Sequence, residues 1–181
     1  MGSFLSFYFL VMNVICDWFL GLGIHYNTKM MHLNAKELRT MVPSPTQINA
    51  IQKNPVFIIL DNVLDTYNVG SIFRLADAVA SERVYLCGET LTPPNSRIKK
   101  ASINTWQWVD WMYFPTAQEA IKHCRLQNKE IEVVAVEQDP RSLPYQNVSY
   151  SEPLAVIVGN ETYGVSKEAL SLADKIVEIP I

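Results

Sequence analysis

Short apolar runs alternate with amphipathic segments along the chain after residue 55. Residues 56–60 form a continuous run of branched and aromatic side chains, the pattern of a strand buried on both faces of a parallel sheet. Residues 71–80 follow with apolar positions at helical spacing. Further strands are predicted at 83–87, 131–136, 154–158 and 175–179, and further helices at 97–103, 116–128 and 166–173. The alternation predicts an α/β fold, a parallel sheet with helices on both faces.

The first 30 residues have a different pattern. Residues 3–24 are predominantly apolar, and about 20 such residues are enough to cross a bilayer. Asp17 opposes a stable span, and no Lys or Arg precedes the run as a signal peptide requires. A membrane anchor, a buried helix and an over-extended reading frame that starts in the cell at Met30 or Met31 stay open, with the last favoured. Neither secretion nor a membrane partner is expected.

The rest of the chain divides into a lead-in and a domain. Residues 31–54 mix helix formers with a break at Pro43-Ser44-Pro45, which predicts a polar helical lead-in. Residues 55–181 carry all the predicted strands. A length of 181 residues, 49% of them hydrophobic, suits one globular domain of this kind.

The charge balance is slightly acidic, with a net charge of −3 and a pI near 5.6. Domains that bind nucleic acids usually carry a basic surplus, so composition weighs mildly against RNA. Arg97, Lys99 and Lys100 form the one dense basic stretch of the predicted domain. This stretch is either an RNA contact or an ordinary solvated turn.

The cysteines and histidines indicate no metal site. Cys16, Cys87 and Cys124 lie far apart in sequence and form no CxxC pair. The three histidines likewise have no Cys, Asp or Glu partner at the spacing of metal ligands. We therefore expect a protein without a bound metal or a disulfide framework, in the reducing cytoplasm.

Two loops at predicted strand ends carry candidate chemistry. Ligands of open parallel sheets gather at the carboxyl ends of the strands, here the loops after residues 60, 136, 158 and 179. In the first loop Asn68 and Arg74 flank Gly70, which is predicted to begin a helix whose free N–H groups suit an anion. The loop at 159–164 has glycines on both sides of Asn160 and Glu161, which permit a tight turn and close approach of the backbone to a ligand.

An ordinary structural explanation exists for each loop taken alone. Asn68 and Gly70 are then helix caps, and the glycines of the second loop make simple turns. Arg74 then pairs with Asp61 or Asp77. The specific observation is that both loops occur in order, each after an apolar strand and before a helix.

Three stretches of the predicted domain form a joint pattern. They are N-V-G-S-I-F-R-L-A-D-A at 68–78, I-V-G-N-E-T-Y-G-V-S at 157–166 and V-E-I-P-I at 177–181. Together they resemble the SpoU/TrmH branch of the SPOUT RNA methyltransferases. The resemblance implies an α/β-knot fold, an exception to ordinary chain topology, and a homodimer. It also implies the cofactor S-adenosylmethionine and methylation of a ribose 2′-hydroxyl in RNA, with tRNA favoured over rRNA.

The resemblance assigns individual residues. The catalytic positions are matched by Asn68, Arg74 and Glu161. Gly159 and Ile179 match cofactor positions; Asn160, next to Gly159, and Val136, by its place at a strand end, are added to the cofactor candidates. The RNA-binding candidates are Arg74 and, from the dense basic stretch, Arg97, Lys99 and Lys100.

Arg74 has two possible roles in methyl transfer. Attack of the ribose oxygen on the methyl group requires positioning and removal of a proton. A guanidinium group stays protonated at physiological pH. We therefore expect Arg74 to anchor a phosphate, and the group that removes the proton is left open.

The sequence departs from the family pattern at two places. Relatives continue past the Ile-Pro strand end with a Ser-Leu-Asn loop and a helix, whereas this sequence ends at Ile181. We therefore expect an incomplete knot, a cofactor pocket that lacks one wall, and a fragment that is inactive by itself. Asn104 stands where relatives usually have glycine, and asparagine tolerates a positive φ better than most residues.

Other interpretations stay open at this stage. Trp106, Trp108 and Trp111 either stack on unpaired bases or are buried in a core or interface. A non-catalytic RNA-binding or dimerisation module of the same fold is the alternative function. A dinucleotide-binding oxidoreductase is remote, because G-x-G-x-x-G is missing after the first strand.

Overall fold

The computed structural model describes Glu37, Thr40 and residues 41–180. The helices are α1 (Pro45–Asn49), α2 (Thr66–Ala78), α3 (Ser96–Ala101), α4 (Ala117–Gln127) and α5 (Lys167–Leu170). The strands are β1 (Asn54–Asp61), β2 (Ser81–Cys87), β3 (Trp111–Phe114), β4 (Glu132–Val136), β5 (Leu143–Pro144), β6 (Leu154–Val158) and β7 (Lys175–Glu178). The apolar segment 1–30 lies outside the described residues. None of the helices in the described part is long and apolar enough to span a bilayer.

The seven described strands form one sheet in the order β3-β2-β1-β6-β4-β7-β5. Every neighbouring pair is parallel, so the predicted parallel sheet is confirmed. The central strand β6 is buried along its whole length, as expected for a strand covered on both faces.

Helices cover both faces of the sheet, as predicted. Alternate residues of β1 point to opposite faces. Ile58 and Leu60 join the core that contains Phe73 of α2, whereas Ile59 joins the core that contains Ile121 of α4. Each face of the sheet therefore has its own apolar core.

Helix α2 begins earlier than the apolar spacing predicts. It starts at Thr66, because the Asp65 side chain accepts a hydrogen bond of 2.8 Å from the N–H of Tyr67 and caps the helix. Gly70 therefore lies inside the helix, and the prediction that it starts the helix with free N–H groups for an anion is wrong. A Cβ at Gly70 would lie 2.5 Å from the Ala101 Cβ, so this glycine lets α3 pack closely against α2.

The aromatic stretch after α3 contains a strand that the sequence analysis did not predict. Strand β3 pairs with β2 at the sheet edge. Trp106 and Trp111 pack against the core on the α2 face. These two tryptophans are half-buried, and their packing supports the core alternative.

Two of the smaller predictions are confirmed. Asn104 has a φ of 73°, the left-handed conformation expected where relatives usually have glycine. The predicted lead-in has a helical turn after its Pro-Ser-Pro break, which is α1 with Ser44 as its N-cap.

Candidate functional site

Four neighbouring strands end at the same level. Leu60 of β1 lies opposite Val158 of β6, and Val158 lies opposite Val136 of β4. Val136 in turn lies opposite Val177 of β7. The loops that follow these strands therefore meet at one edge of the sheet, where ligands of parallel sheets bind. We call this edge, with its four loops, the strand-end edge.

Glu161 joins the loop after β6 to the start of α2. Its Oε1 accepts hydrogen bonds from the Asn68 Nδ2 at 2.8 Å and from the Asp65 N–H at 3.1 Å. Its Oε2 accepts a hydrogen bond from the Leu64 N–H at 3.2 Å. The structure thus brings together two of the three predicted catalytic residues, Asn68 and Glu161. The Glu161 carboxylate is itself the anion held by backbone N–H groups just before α2, and not at Gly70, where an anion site was predicted.

Asn160 makes a second connection between the same loops. Its Nδ2 donates a hydrogen bond of 2.8 Å to the carbonyl of Asn62. Its Oδ1 accepts hydrogen bonds from the N–H groups of Thr162 and Tyr163, which closes a tight turn. Asn160 therefore shapes the loop from which Glu161 projects.

The two predicted glycines serve contacts within the protein. Asn160 and Gly164 exchange two backbone hydrogen bonds of 2.9 Å each. A Cβ at Gly159 would lie 2.2 Å from the Gly164 carbonyl carbon, and a Cβ at Gly164 would lie 2.0 Å from the Glu137 Oε2. The loop was expected to approach a ligand closely at its two glycines. At both glycines it approaches other parts of the chain instead.

Asp61 is a buried carboxylate at the end of β1. It is 2% exposed, and it accepts hydrogen bonds of 2.8 Å from the Asn62 Nδ2 and the Ser166 N–H. Burial, and then the charge of Asp61, raise the pKa of the Cys87 thiol. Asp61 therefore fixes the far end of the loop after β6, and it adds to the effect of burial on the pKa of Cys87.

The predicted RNA-binding residues lie on two packed helices. Arg74 of α2 is exposed and makes no hydrogen bond or salt bridge to any residue that the structure describes. Its expected pairing with Asp61 or Asp77 in the ordinary explanation is therefore wrong. Arg97, Lys99 and Lys100 are exposed on α3, which packs against α2. We call these four residues the basic patch.

The two remaining cofactor candidates are apolar. Val136 and Ile179 are half-buried and pack against the same core. Val136 lies between Val158 and Val177 in the sheet, so it is at the centre of the strand-end edge. Ile179 follows β7 directly.

Sequence reasoning missed one residue of this edge, Glu137. Its Oε2 accepts a hydrogen bond of 2.6 Å from the Val165 N–H, and its Oε1 accepts one from the Gln138 N–H. The only signal in the sequence was a carboxylate directly after a predicted strand. That signal does not indicate which backbone group the carboxylate contacts.

Comparison with known proteins identifies the family. Residues 55–181 match the sequence model of the SpoU rRNA Methylase family. The chain is 31% identical over 124 residues to a tRNA (guanosine(18)-2'-O)-methyltransferase of Thermus thermophilus, an alignment that covers 68% of this chain and 62% of that protein. The chain thus spans less than two thirds of that relative.

Solved structures of RNA-modifying enzymes are similar to this chain. The AdoMet-bound rRNA methyltransferase of Sinorhizobium meliloti is 27% identical with a TM-score of 0.64, over 80% of this chain and 51% of that one. The TrmH/SpoU tRNA modifying enzyme of A. aeolicus is 26% identical with a TM-score of 0.57, over 81% and 70%. Because the family match extends over all the strands from β2 to β7 and nearly all of β1, this chain belongs to the SpoU rRNA Methylase family.

Proposed function

We propose that this chain carries the cofactor site of an RNA methyltransferase that transfers a methyl group from S-adenosylmethionine to a ribose 2′-hydroxyl, with tRNA as the substrate. The observation that carries the proposal is the contact of Glu161 with Asn68 and the start of α2 at the strand-end edge. This contact joins the two loops that carry the family's motifs. The tRNA 2'-O-methyltransferase relative supports the choice of substrate.

The strand-end edge carries apolar and negatively charged residues that suit S-adenosylmethionine. Val136 and Ile179 offer half-buried apolar surface for the uncharged parts of the cofactor. Asp61, Glu137 and Glu161 place carboxylates beside it, and negative groups favour a cationic sulfonium. When bound, S-adenosylmethionine supplies an electrophilic methyl group on a positively charged sulfur. Val136, Gly159, Asn160 and Ile179 are the residues that would hold it.

Glu161 and Asn68 act as positioning residues in this proposal. Both carboxylate oxygens of Glu161 are engaged by donors within the protein, namely Asn68 and the backbone just before α2. The Asn68 amide does not ionise, and its Nδ2 is already used by Glu161. Both residues therefore hold the two loops in register, and neither is assigned the removal of the ribose proton.

Arg74 and the rest of the basic patch bind the RNA backbone. Arg74 is exposed without a carboxylate partner among the described residues, so its guanidinium is available to a phosphate in two-pronged geometry. Arg97, Lys99 and Lys100 extend the positive surface along α3. Such contacts orient the ribose and leave sequence recognition to other groups.

The proposal includes two properties of the whole protein. We expect a homodimer, as the family resemblance implies. We also expect a cytoplasmic location, because that compartment holds the tRNA substrate and keeps free thiols such as Cys87 and Cys124 reduced.

The test is transfer of a radiolabelled methyl group from S-adenosylmethionine to unmodified tRNA transcripts, by this chain and by a version extended through the family's Ser-Leu-Asn motif. The product is digested and its 2′-O-methylated nucleoside is identified by mass spectrometry. We expect Arg74→Ala to lower kcat/KM about 10- to 100-fold, the usual effect of losing one hydrogen bond to a charged group. Lys122→Ala is the matched control, because Lys122 is an exposed cation on α4, on the opposite face of the sheet.

Two results would argue against the proposal. Binding of tRNA without any methyl transfer or S-adenosylmethionine binding would favour the non-catalytic RNA-binding module. Equal effects of Arg74→Ala and Lys122→Ala would remove the assigned role of Arg74.

A further inference from the structure

Glu137 connects three of the strand ends that form the proposed cofactor site. It follows β4 directly, and its backbone N–H donates a hydrogen bond of 2.9 Å to the carbonyl of Val177 in β7. Its carboxylate reaches the other neighbour of β4 and accepts a hydrogen bond of 2.6 Å from the Val165 N–H, in the loop after β6. One residue therefore ties β7, β4 and that loop together.

The loop after β6 is built around this carboxylate. Gly164 has a φ of 70°, and a Cβ there would lie 2.0 Å from the Glu137 Oε2 and 2.7 Å from its carboxyl carbon. The carboxylate thus fills the space that a side chain at position 164 would need. Gly164 is required twice, once for its backbone conformation and once for the space that Glu137 takes.

Two carboxylates hold the loop after β6 in place. Glu161, a residue of the loop, accepts a hydrogen bond from Asn68 of α2, the helix that carries Arg74. Glu137 enters the loop from β4 and contacts the arm that returns from the turn. That arm packs against Gly159, where a Cβ would lie 2.2 Å from the Val165 nitrogen.

We propose that Glu137 is a positioning residue that sets the affinity for S-adenosylmethionine by fixing the returning arm of the loop after β6. The inference rests on the proposed use of this cofactor at the strand-end edge. Glu137 acts through the Val165 N–H and Gly159, next to Val136 and Ile179, and has no part in RNA binding. Its loss therefore weakens cofactor binding and leaves tRNA affinity unchanged.

The first experiment measures amide hydrogen exchange by NMR in the full chain without cofactor. Glu137→Ala is expected to speed exchange at Val165 about 10- to 100-fold, the effect of losing one hydrogen bond to a charged acceptor. Ser166 is the internal control, because its N–H is held by Asp61 instead. The assignment would be overturned by an unchanged exchange rate at Val165, or by an equal increase in exchange rate at Val165 and at all the amides of β6.

The second experiment measures the Kd for S-adenosylmethionine by calorimetric titration and the Kd for tRNA by filter binding. Glu137→Ala is expected to raise the cofactor Kd about tenfold or more and to leave the tRNA Kd within twofold. Glu137→Gln keeps one acceptor oxygen, so its cofactor Kd is expected to be closer to that of the unmodified chain. A cofactor Kd as high for Glu137→Gln as for Glu137→Ala would overturn the role of the hydrogen bond.

Matched variants separate this contact from general damage. Glu130→Ala removes an exposed carboxylate just before β4, at the opposite edge of the sheet, and is expected to change neither Kd. Gly164→Ala is expected to be more damaging when Glu137 is present than in the Glu137→Ala background, because the clash is then gone. An equal effect of Gly164→Ala on the cofactor Kd in both backgrounds would contradict the contact between Gly164 and Glu137.

The two proposals fail in different ways. If neither this chain nor a version extended through the Ser-Leu-Asn motif binds S-adenosylmethionine, the proposed function fails, and the Val165 exchange rate still decides whether Glu137 fixes the loop. If the unmodified chain binds the cofactor and Glu137→Ala binds it equally well, only the role of Glu137 is lost.

Discussion

Replacement of Glu161 by alanine tests the connection between the two loops. The substitution removes the acceptor for three hydrogen bonds, from the Asn68 Nδ2 at 2.8 Å, the Asp65 N–H at 3.1 Å and the Leu64 N–H at 3.2 Å. A hydrogen bond to a charged group contributes about 1.5–3 kcal/mol, so three of them set an upper bound of about 9 kcal/mol.

The expected loss of stability is smaller than this bound. Leu64 and Glu161 are exposed and Asp65 is half-buried, so water can replace the lost acceptor for the two backbone donors. The Asn68 amide is buried and is left without that partner. We expect the free energy of unfolding to fall by about 2 kcal/mol, with about half of it due to Asn68.

Urea unfolding followed by tryptophan fluorescence measures this change. A lower midpoint at constant slope indicates a loss of stability without a change in the extent of folding. Thr162→Ala, an adjacent exposed position, is the control. A double-mutant cycle with Asn68→Ala is expected to give a coupling of about 1 kcal/mol. A loss below about 0.5 kcal/mol for Glu161→Ala, the usual effect of a surface substitution, would refute the connection.

Two further substitutions test the packing of the two faces. Gly70→Ala is expected to lower the free energy of unfolding by about 1–3 kcal/mol, because the new Cβ would lie 2.5 Å from the Ala101 Cβ; thermal unfolding checks this, and an unchanged Tm would contradict the contact between α2 and α3. Burial raises the pKa of the Cys124 thiol from 9.0 to about 11, so the folded protein keeps a proton that the unfolded chain loses. Stability from Cys124 is therefore fully present below pH 9 and is lost as the pH rises to about 11, by up to about 1.4 kcal/mol per pH unit. Cys124→Ala should flatten that decline in urea unfolding measured from pH 8.5 to 10.5, and an unaltered slope would contradict it.

Most strands could be predicted because a strand buried on both faces is a continuous apolar run in the sequence. The bounds of β6 agree with the predicted run at 154–158, which Pro153 and Gly159 delimit. β3 was missed because its apolar run, Trp111–Phe114, is only four residues long and Trp111 had been grouped with the nearby aromatic residues Trp106 and Trp108. The start of α2 was missed because its first turn is mostly polar, although Asp65 is a typical N-cap residue.

The candidate site could be predicted in part. The motif residues Asn68 and Glu161 were identified and lie in contact. The partners of Glu137 and Asp61 could not be predicted, because they depend on β6 lying between β1 and β4. Strand order arises from packing of the whole sheet, and local sequence does not specify it. The same limit applies to Gly70, whose neighbour Ala101 is distant in sequence and close in space.

The separation of charges on this domain has a consequence for ionic strength. Carboxylates occupy the strand-end edge, whereas the four cations of the basic patch lie on α2 and α3. Under the proposed function, RNA displaces condensed counterions only at those cations, and four phosphate contacts give a slope of about −3 in log K against log salt. RNA affinity then falls by roughly 60-fold between 50 and 200 mM salt. Under the proposed function, the phosphates of the RNA are held at α2 and α3, and the target ribose alone has to reach the cofactor at the strand-end edge.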